Sequence, residues 1–266
     1  MLDRFNRNIS YLRISITDRC NLRCSYCMPA DGVVFKPHAE IITFEEIVEV
    51  VKVAVSLGIT KFRLTGGEPL VRKGVVDLVR MIKQVRGVAE LALTTNAILL
   101  KELAQPLKEA GLDRVNISID SMNSVRYSEI TRGGNLIDVL AGIDSALLAG
   151  LTPIKVNCVI NNTFPKSDAN DVKEYAESRG LKVRYIHQMD LAEGTFSKVE
   201  GGDGGDCAIC NRLRLTADGL VKPCLFSNKG YSIREHTIAE AFAMALHAKP
   251  KEGKKNSERG FWQIGG

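Results

Sequence analysis

The stretch YLRISITDRCNLRCSYCMP, residues 11–29, decides how the rest of the chain is read. Its opening, YLRISIT (11–17), is rich in β-branched and aromatic residues and reads as a strand. Cys20, Cys24 and Cys27 follow within eight residues, and no fourth cysteine lies nearby. Three thiolates can hold a metal centre but leave one position open. A strand that empties into such a loop is therefore a candidate site for a centre that takes a ligand from outside the protein.

Outward from this strand the sequence keeps a regular rhythm. TFEEIVEVVKVAVSLG (43–58) reads as a helix opened by a Thr43/Glu46 capping box and stopped at Gly58. Strands follow at 61–65, 90–95, 114–120, 154–160 and 182–189, with helices between them at 74–87, 99–111, 135–150 and 167–180. Pro106 is placed to bend the helix at 99–111. Strand–helix alternation implies parallel pairing through right-handed crossovers. Six strands are too few for a closed eight-fold barrel, so the fold class is α/β, an open, partial (β/α)6 barrel with a small C-terminal extension. In such architectures chemistry gathers at the C-terminal ends of the strands. Residues 1–189 form the barrel unit in this reading. The rhythm breaks at Met189, and residues 190–266 form the extension, which starts with a glycine- and acid-rich loop and finishes on FWQIGG.

Composition sets wide limits. The chain has 266 residues, 45% hydrophobic and 25% charged, with a net charge of +5. That suits a globular protein with an anionic substrate and does not by itself require nucleic acid. No apolar run is long enough to span a membrane, and MLDRFNRNIS lacks the apolar core of a signal peptide, so the expected location is cytoplasmic. Clustered cysteines in such a chain point to metal or redox chemistry rather than disulfides. Of seven, Cys158 sits alone in the apolar run VNCVI and reads as a core thiol.

The remaining cysteines lie in CAICNRLRLTADGLVKPCLF (207–226). Cys207 and Cys210 form a CxxC, and Cys224 follows after thirteen residues. NRLRLTADG reads as a hairpin strand and turn. Its Arg212 and Arg214, two residues apart, share a strand face, and two guanidinium forks on one face can grip a triphosphate. Zinc with a remote fourth ligand such as His38 is the alternative for the first cysteine group.

These motifs together resemble a known family. CxxxCxxC after the first strand and TGGEP (65–69) at the end of the second are similar to those of radical S-adenosylmethionine (SAM) enzymes. LRISITDRCNLRCSYCMP (12–29), the segment 207–226 and the terminal GG resemble the GTP 3′,8-cyclase family, the molybdenum cofactor biosynthesis protein A family, over essentially the whole chain. The resemblance implies two 4Fe–4S clusters, one on Cys20, Cys24 and Cys27 and one on Cys207, Cys210 and Cys224. SAM would chelate the open iron of the first, and an electron would cleave it to methionine and a 5′-deoxyadenosyl radical. Tyr26, Gly67, Glu68, Thr95, Asn96, Ser118 and Met189 would contact SAM. Gly66 and Gly67 would let the backbone approach that ligand closely. Arg13, Lys155, Arg212 and Arg214 would bind GTP, whose guanine would meet the second cluster. Arg212, Arg214 and the tail glycines Gly265 and Gly266 would assist the cyclisation that produces the molybdopterin precursor. Implied partners are GTP, a one-electron donor such as flavodoxin or ferredoxin, and the accessory protein of the downstream molybdopterin-precursor synthase. The resemblance also admits a homodimer, and it involves neither nucleic acid nor membrane.

Two departures stand out. RYIHQMD (184–190) carries His187 where the family has an acid, and only residues 190–206 separate the sixth strand from the second cysteine group, a segment longer in the family. A related radical SAM enzyme with one auxiliary cluster, acting on a peptide or other substrate, is the second reading. A non-catalytic cluster carrier is the third, and the retained TGGEP speaks against it, since a carrier needs no SAM pocket.

Overall fold

Short strands that are apolar on alternate residues can bury one face against helices and spend the other on a cavity. The computed structural model, which describes residues 1–161 and 163–265, is built on that division. β1 (Tyr11–Ser15), β2 (Lys61–Thr65), β3 (Glu90–Thr95), β4 (Arg114–Ser118), β5 (Lys155–Ile160) and β6 (Lys182–His187) are joined by crossover helices. The helices are α1 (Phe44–Ser56), α2 (Val75–Lys83), α3 (Leu100–Glu109), α4 (Ser124–Thr131), α5 (Leu136–Leu148) and α6 (Lys166–Ser178). β7 (Arg212–Leu215), β8 (Leu220–Lys222) and β9 (Tyr231–Ser232) follow, then α7 (Ile238–His247) and the single turn α8 (Phe261–Ile264).

The described strands form one sheet in the order β6-β5-β4-β3-β2-β1-β7-β8-β9, parallel from β6 to β7 and antiparallel beyond. The six expected parallel strands are present, and the sheet is open, as a partial barrel requires. After β6 the chain crosses to the other side of the sheet, where β7 pairs with β1.

Local chemistry accounts for the elements. Thr43 Oγ1 accepts from Glu46 N at 3.1 Å and Glu46 Oε2 from Thr43 N at 2.7 Å, the reciprocal box that starts α1. Gly58 follows α1 at φ 89°, the left-handed turn that glycine adopts without strain. Pro106 lies inside α3, which runs on to Glu109. α4 and α7 were not foreseen, although α7 carries the same Thr-x-x-Glu start, with Glu240 N donating to Thr237 Oγ1 at 3.3 Å. α7 packs on α1, β8 and β9 and covers the added edge of the sheet. The core is the apolar strand face: Leu12, Ile14, Phe62, Leu64, Val115, Ile117, Val156, Leu213 and Leu215 are fully buried against the helices. Cys158 belongs to it, as its apolar neighbours suggested.

Candidate active site

The other strand face is cationic. Tyr11 and Arg13 of β1, Lys61 and Arg63 of β2, Arg114 of β4, Lys155 of β5, Arg184 of β6, and Arg212 and Arg214 of β7 all line one cavity of 540 Å³. The volume is that of a site for a small ligand. Strand register sets Arg63, Arg13 and Arg214 side by side on β2, β1 and β7, with neighbouring strands about 4.8 Å apart. Arg63 lies 5.4 Å over the Tyr11 ring. Burial pushes the Arg63 guanidinium down to about 9, and Arg13, Arg114 and Arg184 push it the same way. Nε of Arg13, Arg63 and Arg184 is buried without a hydrogen-bond partner among the described residues. Arg114 is satisfied by an ion pair with Glu90 and by Asn116 Oδ1 at 2.8 Å. A row of desolvated cations with unused donors calls for a polyanion.

The first cysteine group sits above this floor, in the loop after β1. Cys27 N and Met28 N donate to the Cys24 carbonyl at 2.9 and 3.0 Å, which curls the loop so that all three sulfurs face the cavity. Burial pushes the thiols up, to about 11 at Cys20 and about 12 at Cys27, and Cys24 rises too. Such thiols stay neutral until a metal displaces the proton. Among the described residues, no three Cys, His, Asp or Glu side chains converge tightly enough for a single metal ion. A cubane cluster needs them farther apart, because each thiolate binds a different iron. The donor set fits a cluster better than zinc, and His38 stands outside the cavity lining.

Glu68 was expected to receive the SAM ammonium. It is buried at 2% exposure and accepts from Leu70 N at 3.0 Å, Thr95 Oγ1 at 2.7 Å and Asn96 N at 2.7 Å. A carboxylate offers about four lone pairs, so one acceptor position is left for a ligand cation. Burial pushes its carboxyl up to about 7 despite those three donors, and an ammonium would reverse that. Thr95 and Asn96 are thereby fixed to the end of β2, and Asn96 Nδ2 also donates to Asn21 Oδ1 at 2.8 Å. The glycine pair meets a packing demand as well. A Cβ on Gly66 would lie 2.6 Å from the Thr17 carbonyl oxygen and one on Gly67 2.3 Å from that of Arg19. Their smallness also lets TGGEP pack on the cysteine loop, and both glycines line the cavity. Tyr26 lines the cavity and donates to Asp120 Oδ2 at 2.7 Å. Ser118 lies at the mouth of β4, and Met189 packs on a second apolar cluster of Leu191, Leu225, Phe226 and Ile264.

The second cysteine group does not follow the rule that chemistry gathers at the C-terminal strand ends. Arg212 pairs with Tyr11, so Cys207 and Cys210 precede β7 at the N-terminal end of β1, and Cys224 returns to that end after β8. The two groups lie at opposite ends of one cavity, separated by a strand length on the order of 15 Å. Burial works against the Cys210 thiolate, but Lys249 and Arg212 outweigh it and bring the thiol down to about 7. Arg212 donates to the Asp203 carbonyl at 3.0 Å. Arg214 donates to the Gly265 carbonyl, so the C-terminal tail reaches the cavity floor. Gly265 has φ 72°, and a Cβ there would lie 2.0 Å from Thr65 Oγ1. Gly266 lies outside the described residues.

Residues 14–177 match the radical SAM superfamily. The GTP 3′,8-cyclase of Alkaliphilus oremlandii is 41% identical over 320 aligned residues, and that of Moorella thermoacetica 42% over 323, each alignment covering 100% of both chains. The chain belongs to the GTP 3′,8-cyclase family of radical SAM proteins. In fold it also resembles Streptococcus suis SuiB bound to S-adenosylmethionine, with a TM-score of 0.69 and 12% identity over 88% of this chain and 65% of SuiB. Native anSMEcpe with bound AdoMet gives 0.66 and 17% over 87% and 80%. This member of the GTP 3′,8-cyclase family is short: 266 residues against alignments of 320 or more leave over fifty positions opposite gaps. Residues 190–206 form a spare connection between β6 and the second cysteine group. It is tied to β6 by the Tyr185–Glu200 bridge, and Val199 and Gly202–Asp206 line the cavity. His187 Nε2 meets Glu200 Oε1 at 3.0 Å on the exposed side. Lys61, Arg63, Arg114 and Arg184 were missed from the sequence. The signal was there, since YLR, KFR, KVR and RLR repeat one alternation on four strands.

Proposed function

We propose that this chain is a radical SAM lyase that converts GTP to (8S)-3′,8-cyclo-7,8-dihydroguanosine 5′-triphosphate, the first step toward molybdopterin. The observation that carries the reading is the row Arg63–Arg13–Arg214, in which Arg63 and Arg13 each keep a buried Nε without a partner among the described residues, lying between two three-cysteine groups. A triphosphate on that row would place the ribose and base of one nucleotide along the cavity, within reach of both ends. Cys20, Cys24 and Cys27 would hold the cluster that supplies the electron for SAM cleavage. Cys207, Cys210 and Cys224 would hold the cluster that receives the base. The Glu68 carboxylate, fixed by three donors, keeps one acceptor position for the SAM ammonium. Thr95, Asn96 and Ser118 present polar atoms at the strand mouths, and Tyr26 and Met189 flank them. Arg13, Arg212, Arg214 and Lys155, joined by Lys61, Arg63 and Arg184, neutralise the phosphates, and Gly265 completes the wall beside Thr65. A cytoplasmic one-electron donor of the flavodoxin or ferredoxin type reduces the enzyme, and the product passes to the accessory protein of the next synthase.

The test is anaerobic incubation of reduced enzyme with GTP and SAM, followed by mass spectrometry of nucleotides. One 5′-deoxyadenosine and one cyclised nucleotide per turnover are expected. SAM cleavage with GTP untouched would sink the substrate assignment and turn the search toward peptides.

A further inference from the structure

Lys249 follows α7 and is 1% exposed. No step described above uses it. An ammonium has three N–H donors, and all three are committed. Nζ donates to the Arg212 carbonyl at 2.7 Å, the Pro223 carbonyl at 3.0 Å and the Cys210 sulfur at 3.5 Å. The two carbonyls belong to the residue that opens β7 and to the residue before Cys224. One buried charge therefore joins the two arms of the hairpin that bear Cys210 and Cys224. The two residues after it are held in turn by Arg7, 7% exposed, which donates to the Pro250 carbonyl at 2.7 Å, to the Lys251 carbonyl at 3.1 Å and to the Cys207 carbonyl at 2.8 Å. Every segment that carries a cysteine of the second group is thus anchored by Arg7 or Lys249.

A buried ammonium is costly unless an anion compensates it, and Lys249 has no carboxylate among its hydrogen-bond partners. The hydrogen-bond partner able to carry negative charge is the Cys210 sulfur, at 3.5 Å, which is a thiolate when it holds a metal. Among the described residues no Lys or Arg donates to a sulfur of the first cysteine group, where Cys20 receives the Leu22 N–H at 3.4 Å. The two sites differ in the positive charge next to a ligand sulfur: at Cys210 the Lys249 ammonium is hydrogen-bonded to it, with Arg212 close by.

We propose that Lys249 is a positioning residue of the second cluster site, donating to the Cys210 thiolate and holding that cluster at a higher reduction potential than its ligands alone would set. The proposal rests on the reading that Cys207, Cys210 and Cys224 hold an iron–sulfur cluster. Hydrogen bonds to ligand sulfur and added positive charge both favour the reduced, more negative state. A higher potential at the second site also biases any electron exchange between the sites toward it.

The test uses the full chain with Cys20, Cys24 and Cys27 changed to alanine, so that only the second cluster contributes to spectra. Iron and sulfide counting and an EPR-monitored redox titration are applied to it and to Lys249→Met, Lys249→Gln and Lys249→Arg in the same background. The parent should hold about four iron atoms. The Met and Gln variants should keep them, with the reduced-to-oxidised ratio at the parent's midpoint potential falling at least tenfold. For a one-electron couple that is a shift of about 59 mV to lower potential. Lys249→Arg should lie near the parent. Iron lost from both neutral variants and retained in the arginine variant also supports the charge role. An unchanged midpoint in an iron-replete neutral variant overturns the proposal, as does loss of iron from all three variants, which would mean that the site needs lysine's shape. An iron-free parent removes the second-cluster reading itself, and the proposal with it.

Discussion

Arg13, Arg63 and Arg184 share one difficulty: each has a buried Nε with no partner among the described residues. Leaving a charged donor unpaired away from water costs more than a lost neutral hydrogen bond, so these residues are legible as binding groups and not as structural ones. Replacing Arg63 or Arg184 with alanine should weaken GTP binding by about 1.5–3 kcal/mol, the range for hydrogen bonds to charged groups. Calorimetry should show a much smaller loss for guanosine, which lacks the phosphates; equal losses for both ligands would remove the phosphate role. Gly265 makes a sharper case. Its φ of 72° and the 2.0 Å approach of a Cβ to Thr65 Oγ1 leave no room for alanine. β2 is locked in the sheet, so in Gly265→Ala the tail must withdraw, not the strand. Cyclisation should fall at least tenfold while thermal stability changes by under about 1 kcal/mol, because the tail adds only one helical turn to the fold. A large drop in melting temperature would instead make the tail a structural strut.

At the level of elements, the strands were readable because each alternates, and the helices α1, α2, α3, α5 and α6 because their apolar faces repeat and glycines stop them. α7 was passed over although Thr237 and Glu240 form its capping box, because it follows an irregular stretch where no rhythm announced a helix. What holds the tail segment could not be read either. Asp218, in the β7–β8 turn, receives Arg259 Nη1 and Nη2 at 2.9 Å each and Lys36 Nζ at 3.1 Å. It thus ties three remote segments together. Burial works against its charge, but the Arg259 and Thr216 hydrogen bonds, followed by Lys36, outweigh it and bring the carboxyl down from 3.8 to about 2. A depressed carboxyl stabilises the fold above its unfolded value and loses that contribution as pH falls through the folded one. Allowing for the 11% of the side chain that meets solvent, the contribution is about 1–2 kcal/mol. Urea unfolding of the cluster-free protein should show the parent losing this amount between pH 4 and pH 2, with Asp218→Asn lower at pH 5 and level with the parent near pH 2. A constant gap across that range would mean that Asp218 acts by packing alone.

In the whole molecule, two cysteine groups face one cavity from opposite ends, and this arrangement predicts a division of labour. Anaerobically reconstituted protein should hold about eight iron atoms, two clusters of four. Alanine at Cys20, Cys24 and Cys27 should abolish SAM cleavage. Alanine at Cys207 should leave slow cleavage uncoupled from GTP, read as 5′-deoxyadenosine without cyclised product. Equal abolition by both sets in folded protein would show that the two ends act as one. Read alone, the chain prescribes everything that depends on near neighbours: the alternation of strands and helices, the capping box of α1, the CxxxCxxC loop, and the shared face of Arg212 and Arg214. Those features are set by periods of two and 3.6 residues and by spacings within a single turn or hairpin. The position of the second cysteine group is of another kind. It depends on β7 adding to the sheet beside β1, a pairing across about two hundred residues that no local period encodes. The same pairing sets Arg214 beside Arg13 and brings Gly265 against Thr65. Only when the strands lie in register do cations scattered from Arg13 to Arg214 become one desolvated row, because burial and charge proximity belong to the folded cavity and to no segment by itself.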